Sequence, residues 1–127
     1  MSVVVALLTR SPSDPRLKAR IAPLVPEFEQ RRELVLAFID DLTERVSALP
    51  DVTLSIAVTP PVEGFRLARP WIAGRQLLPQ RGAVFGDRLR NVIADLAATG
   101  ATQIVLLGAD VPDLPASALT DAVARVR

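Results

Sequence analysis

A chain of 127 residues, half of them hydrophobic, is long enough for one compact domain, residues 1–127, and too short for two. Fifteen basic residues against fourteen acidic ones leave no bulk charge to draw the chain to a nucleic-acid backbone or an anionic membrane, so neither is an expected partner. With no Cys and no His, disulfides, thiol nucleophiles, imidazole bases and the usual zinc sites are excluded; any metal should be a hard, oxygen-liganded ion such as Mg²⁺ or Mn²⁺.

Residues 3–8 (VVVALL) form an aliphatic run that predicts a central parallel strand. The run is too short to span a bilayer and lacks the flanks of a signal peptide, so the expected location is the cytoplasm. Residues 9–20 hold prolines and a concentration of positive charge in Arg10, Arg16, Lys18 and Arg20, Lys18 being the only lysine in the chain. Such a loop at a strand's carboxyl end can clamp phosphates, Lys as a point charge and Arg as a fork; the competing reading is a solvated charged loop.

Residues 28–49 repeat Leu34, Phe38, Leu42, Val46 and Leu49 at helical spacing, with Asp40 and Asp41 expected on or near the solvated face. Pro50 and Asp51 break this helix, and residues 52–58 alternate apolar with small polar side chains, as a strand does. Residues 63–79 are the least periodic; they predict a short helix and then a short strand at 76–78, with Trp71 read as a packing residue. Next comes a loop carrying Gln80 and Gly82, then a helix from Phe85 or Gly86 that contains Arg88 and ends at Gly100. Glycines ahead of a helix let backbone N–H groups approach an anion, although the spacing matches neither a Walker loop nor a dinucleotide fingerprint.

Residues 103–107 read as a strand covered on both faces and stopped by Gly108. Asp110 then falls just past the strand's carboxyl end, where a carboxylate can hold a divalent cation against phosphate oxygens; equally, it can simply shape the turn. Asp113 reads as the cap of a last helix, with Pro115 near its first turn and Leu119, Val123 and Val126 on one face. Strand and helix thus alternate throughout, which predicts a three-layer α/β/α domain on a mostly parallel, Rossmann-like sheet.

Three segments carry a resemblance. TRSPSDPRLKARIAP (9–23) resembles the T-K-x-P-x-P-G-x-V-K-T-R-L-x-P motif of bacterial nucleotide-diphospho-sugar transferase-like proteins of the glycosyltransferase A fold, with Lys18, Arg20 and Pro23 in register. QRGAVFGDRL (80–89) is similar to that family's Q-x-G-x-x-L-G-E-R-M, and LGADVPDL (107–114) to its G-x-D-x-P-x-L. Guanylyltransferases acting on phospholactate-type acceptors and on the molybdenum cofactor share the same basic-loop logic.

The resemblance implies a transferase-like protein that binds a nucleoside triphosphate or a nucleotide sugar. Arg10, Arg16, Lys18, Arg20, Gln80, Gly82 and Arg88 would contact the nucleotide, and Lys18 and Asp110 would serve catalysis, Asp110 as ligand of Mg²⁺ or Mn²⁺. Catalysis would then be positioning and charge neutralisation, with little proton transfer asked of the protein. Two departures are visible. Asp14-Pro15 replaces the motif's Pro-Gly, and the chain stops one helix after Asp113 where the family continues. The expectation is therefore a truncated form of the fold, in which an apolar edge is buried by homodimerisation, and the alternative function is a non-catalytic nucleotide-binding or assembly module.

Overall fold

Val3–Arg10, named β1, occupies the centre of a parallel sheet because its β-branched and aliphatic side chains are buried on both faces: Val3, Val5 and Leu7 on one, Ala6 on the other. The computed structural model describes residues 3–11, 14, 16, 17, 19–59, 76–111 and 113–127. Along the chain β1 is followed by a 3-10 turn (Ala19–Ile21), α1 (Phe28–Ser47), β2 (Val52–Thr59), β3 (Gln76–Pro79), α2 (Phe85–Ala98), β4 (Ile104–Gly108) and α3 (Ala116–Val126). The strands lie side by side in the order β3-β2-β1-β4, all pairs parallel. The helix expected between residues 63 and 75, like Trp71, falls outside the described residues.

The two cores follow from this order. Going from β1 to β2 the chain steps one way across the sheet; going from β3 to β4 it steps back past both strands. Right-handed crossovers therefore place α1 and α2 on opposite faces. Val35, Ile39, Leu42 and Val46 of α1 and Leu119 and Val123 of α3 pack on Val5, Leu7, Leu54, Ile56 and Val58, while Val92 and Leu96 of α2 pack on Ala6, Ala57 and Leu78. The result is the expected three-layer arrangement.

Several boundaries move for physical reasons. β1 runs to Arg10 instead of residue 8 because β2 continues beside it, pairing Thr9 with Val58 and Arg10 with Thr59. α1 ends at Ser47, and Leu49 is held by a shorter turn to the Val46 carbonyl. Asp113 does not cap α3: the cap position is Pro115, without a side-chain hydrogen bond, and Asp113 is exposed two residues earlier. β4 is covered on both faces only in part, Val105 and Leu107 joining the larger core and Ile104 and Leu106 the smaller one. At the end of the strand order among the described residues, it buries Leu107, with Ile104, Val105 and Leu106 half-covered. The end of α2 behaves as the sequence predicts, since Gly100 at φ +100° lets its own N–H reach the Ala97 carbonyl and that of Ala101 reach Leu96.

A candidate anion-binding crevice at the sheet's switch point

Strand order reverses between β1 and β4, and there the two strands part. β4 ends at Gly108, Ala109 makes one last N–H bond to the Leu8 carbonyl at 3.0 Å, and β1 runs on with β2 alone. In open α/β sheets the gap outside such a reversal is where ligands sit. Here it is a crevice of about 700 Å³ walled by Arg10, Arg16, Arg20, Arg88, Gln80, Phe85 and Asp110, with Thr9 and Thr59 at its base. That volume lies within the range of small-molecule sites. Six residues singled out in the sequence thus come together. Gly82 does not line the crevice, and Lys18, expected beside Asp110, lies outside the described residues.

The basic loop is built around two buried anchors. Leu17 is 2% exposed and belongs to the larger core, which fixes the chain between Arg16 and Arg20. Arg31, near the start of α1, is 7% exposed; its Nε donates to the Leu17 carbonyl at 3.0 Å and its Nη1 to those of Val25 (2.9 Å) and Pro26 (2.7 Å). One guanidinium thereby satisfies three loop carbonyls that no sheet or helix serves.

Asp14 is the second surprise of this loop. Rather than facing an incoming anion, its carboxylate is buried and absent from the crevice wall. It accepts from Arg10 Nη1 at 2.7 Å and from the Arg16 backbone N–H at 3.0 Å, with Arg16 Nε 3.8 Å away. Burial pushes its carboxyl up, but the hydrogen bonds from Arg10 and Arg16 and their two charges outweigh this and hold it below the ordinary carboxylate range. A proline-glycine turn is replaced by a carboxylate that orients two arginines from behind.

On the opposite side, Gln80 follows β3 and is 7% exposed. Its Nε2 donates to the carbonyls of Thr9 (3.1 Å) and Ala57 (2.8 Å), bridging β1 and β2 where they leave the sheet. With both amide hydrogens committed, what Gln80 can present to a ligand is its carbonyl oxygen. Gly82, which is not on the crevice wall, shapes the loop beside it. At φ +132° its backbone lies so close to α2 that a Cβ would stand 3.0 Å from Asp87 Cβ and 3.1 Å from the Arg88 nitrogen. Arg81 ties the same loop down through a two-point pair with Asp95 at 2.6 and 3.1 Å; the hydrogen bond from Arg81 outweighs desolvation and lowers the Asp95 carboxyl. Gly86 lies inside α2, not ahead of it, and Asp87 in the first turn already meets the positive helix end.

Whether the crevice suits a hard cation is decided by its donors. Asp110 is the one carboxylate on the wall among the described residues, and no group of three or more acidic side chains gathers anywhere among them. Among the described residues, then, no cage is made by the protein alone. The donor set fits a cation held by one carboxylate and completed by phosphate oxygens and water, the usual manner of Mg²⁺ with phosphorylated ligands.

The profile of a family described as "Uncharacterized protein conserved in bacteria (DUF2064)" matches residues 42–127. The chain belongs to that family. The match takes in Gln80, Phe85, Arg88 and Asp110 and leaves the basic loop of this DUF2064 member outside it. A crystal structure from Desulfovibrio desulfuricans G20, described as a "putative nucleotide-diphospho-sugar transferase", superposes with a TM-score of 0.80 over 98% of this chain at 23% identity. It shows the fold: a mostly parallel nucleotide-diphospho-sugar transferase-like sheet with helices on both faces. The chain spans 54% of that protein's length. No curated protein sequence matches it. No helix among the described residues is long and apolar enough to cross a membrane.

Sequence reasoning missed the residues that act from behind. Asp14 was visible only as a departure from a motif, Arg31 looked like one more charge on an amphipathic helix, and Phe85 like a helix start. For Arg31 a signal existed: it falls on the same side of α1 as Val35 and Leu42, where a lone charge must find partners.

Proposed function

We propose that this DUF2064 member binds a nucleoside triphosphate or a nucleotide sugar in the β1–β4 crevice and is a nucleotidyl- or glycosyltransferase-like protein of the glycosyltransferase A fold. The observation that carries the reading is the gathering of Arg10, Arg16, Arg20 and Arg88 with Asp110 around one crevice, in a chain whose charges otherwise balance. Guanidinium forks suit phosphate oxygens, and their charge offsets that of a phosphorylated leaving group. When Mg²⁺ or Mn²⁺ is bound with the nucleotide, it supplies further neutralisation, with Asp110 as its protein ligand. The protein's own part is to hold the phosphates and aim the reacting atom. Lys18 and Arg20, by resemblance, act on the same phosphates.

Calorimetric titration with nucleoside triphosphates and nucleotide sugars, with and without Mg²⁺ or Mn²⁺, tests this. Binding is expected, with a metal-dependent part that Asp110→Asn removes while metal-free binding persists. No heat from any of them at millimolar ligand defeats the reading. A second reading, a non-catalytic nucleotide-binding module, is favoured by Asp14, which already neutralises part of the charge of Arg10 and Arg16. Turnover of any nucleotide substrate, abolished by Asp110→Asn, eliminates it.

A further inference from the structure

Phe85 is the first residue of α2 and stands on the wall of the crevice, yet 58% of it is exposed and it packs into neither core. The chain holds four phenylalanines, one tryptophan and no tyrosine, so leaving an aromatic ring uncovered beside a polar, arginine-walled opening is not forced by an excess of them. One turn on, the guanidinium carbon of Arg88 lies 5.7 Å from the ring centroid. Arg88 Nη1 reaches the Ala83 carbonyl at 3.2 Å, but its Nε is buried without a hydrogen-bond partner. A largely exposed aromatic ring with a guanidinium beside it, both bordering the crevice, offers the kind of surface on which a planar heteroaromatic ligand stacks. Phe85 also stands where the resembled motif has leucine, which has no flat face.

We infer that Phe85 is the stacking platform for the base of the bound nucleotide, with Arg88 as its cationic neighbour, and that this ring gives the crevice a preference for purines. The inference rests on the nucleotide reading above. Stacking is tolerant of base identity but grows with ring area, so a two-ring base gains more than a one-ring base. Gln80, bridged to β1 and β2, borders the same opening and offers a carbonyl acceptor.

The test compares GTP, UTP and inorganic tripolyphosphate by calorimetry on the full chain and on Phe85→Ala and Phe85→Trp. GTP should bind the parent protein several-fold more tightly than UTP, and UTP more tightly than tripolyphosphate. Phe85→Ala should lower GTP affinity about five- to a hundredfold and leave tripolyphosphate unchanged. Phe85→Trp should retain GTP affinity and add a fluorescence signal, beyond that of Trp71 in the parent, which GTP quenches and tripolyphosphate does not. Equal affinity of all three ligands, or an unchanged GTP affinity in Phe85→Ala, overturns the inference while phosphate binding, and with it the broader reading, stands. If no ligand binds, tripolyphosphate included, the broader reading falls and takes this inference with it.

Discussion

Asp14 shows how a single side chain changes meaning between sequence and structure. Its carboxylate lies behind Arg10 and Arg16, so it orients the positive wall instead of opposing a ligand. Because folding lowers its pKa, its contribution is complete above the ordinary carboxylate value of roughly 3.9 and disappears as pH falls through the lower folded value. Asp14→Asn should therefore cost about 1 kcal/mol of stability at neutral pH. The gap between parent and variant should stay constant from about pH 5 to 8 and close below about pH 4. Urea titrations across that range check this; a gap that widens on acidification contradicts the assignment.

At the scale of elements, the loop between β1 and α1 owes its shape to one helix. Arg31 reaches back from α1 to the carbonyls of Leu17, Val25 and Pro26 and so holds Arg16 and Arg20 at the crevice. Removing the guanidinium leaves buried acceptors unpaired, so Arg31→Met should destabilise by about 2–3 kcal/mol. Amide hydrogen exchange should rise in residues 16–26 more than in β2 or α2; a uniform rise would show that Arg31 supports the core rather than the loop. Loops of this kind are hard to read from sequence. Periodicity identifies α1 through Val35, Leu42 and Val46, whereas the Arg31 contacts bridge 5 to 14 positions without any repeat. The extension of β1 to Arg10 has the same origin, because a partner strand's length decides where pairing stops.

For the whole molecule, stability resides in the sheet that sets the crevice. Leu7 sits fully buried at its centre, between β2 and β4 and beneath α1, and Leu7→Ala should cost about 2–5 kcal/mol in equilibrium denaturation. The loss should appear as a shifted midpoint with an unchanged slope; a changed slope would indicate that the variant no longer unfolds as one unit.

Alternation of aliphatic runs with amphipathic stretches was enough to determine an α/β/α layering, because a parallel strand must bury both faces and a crossover helix must bury one stripe. The three short motifs likewise pointed to the residues that meet at the switch point. The unbroken aliphatic run marked β1 as a central strand, but sequence alone did not determine the order of its neighbours, nor that β4 stands at the end of that order among the described residues, since strand order is set by crossover direction and leaves no local trace. It also left Arg31 and Phe85 looking ordinary and showed Asp14 only as a departure from a motif. Only the packed structure decided that one carboxylate faces inward, one guanidinium is buried against carbonyls and one aromatic ring stays uncovered, because burial and pairing are properties of neighbours far apart in the chain.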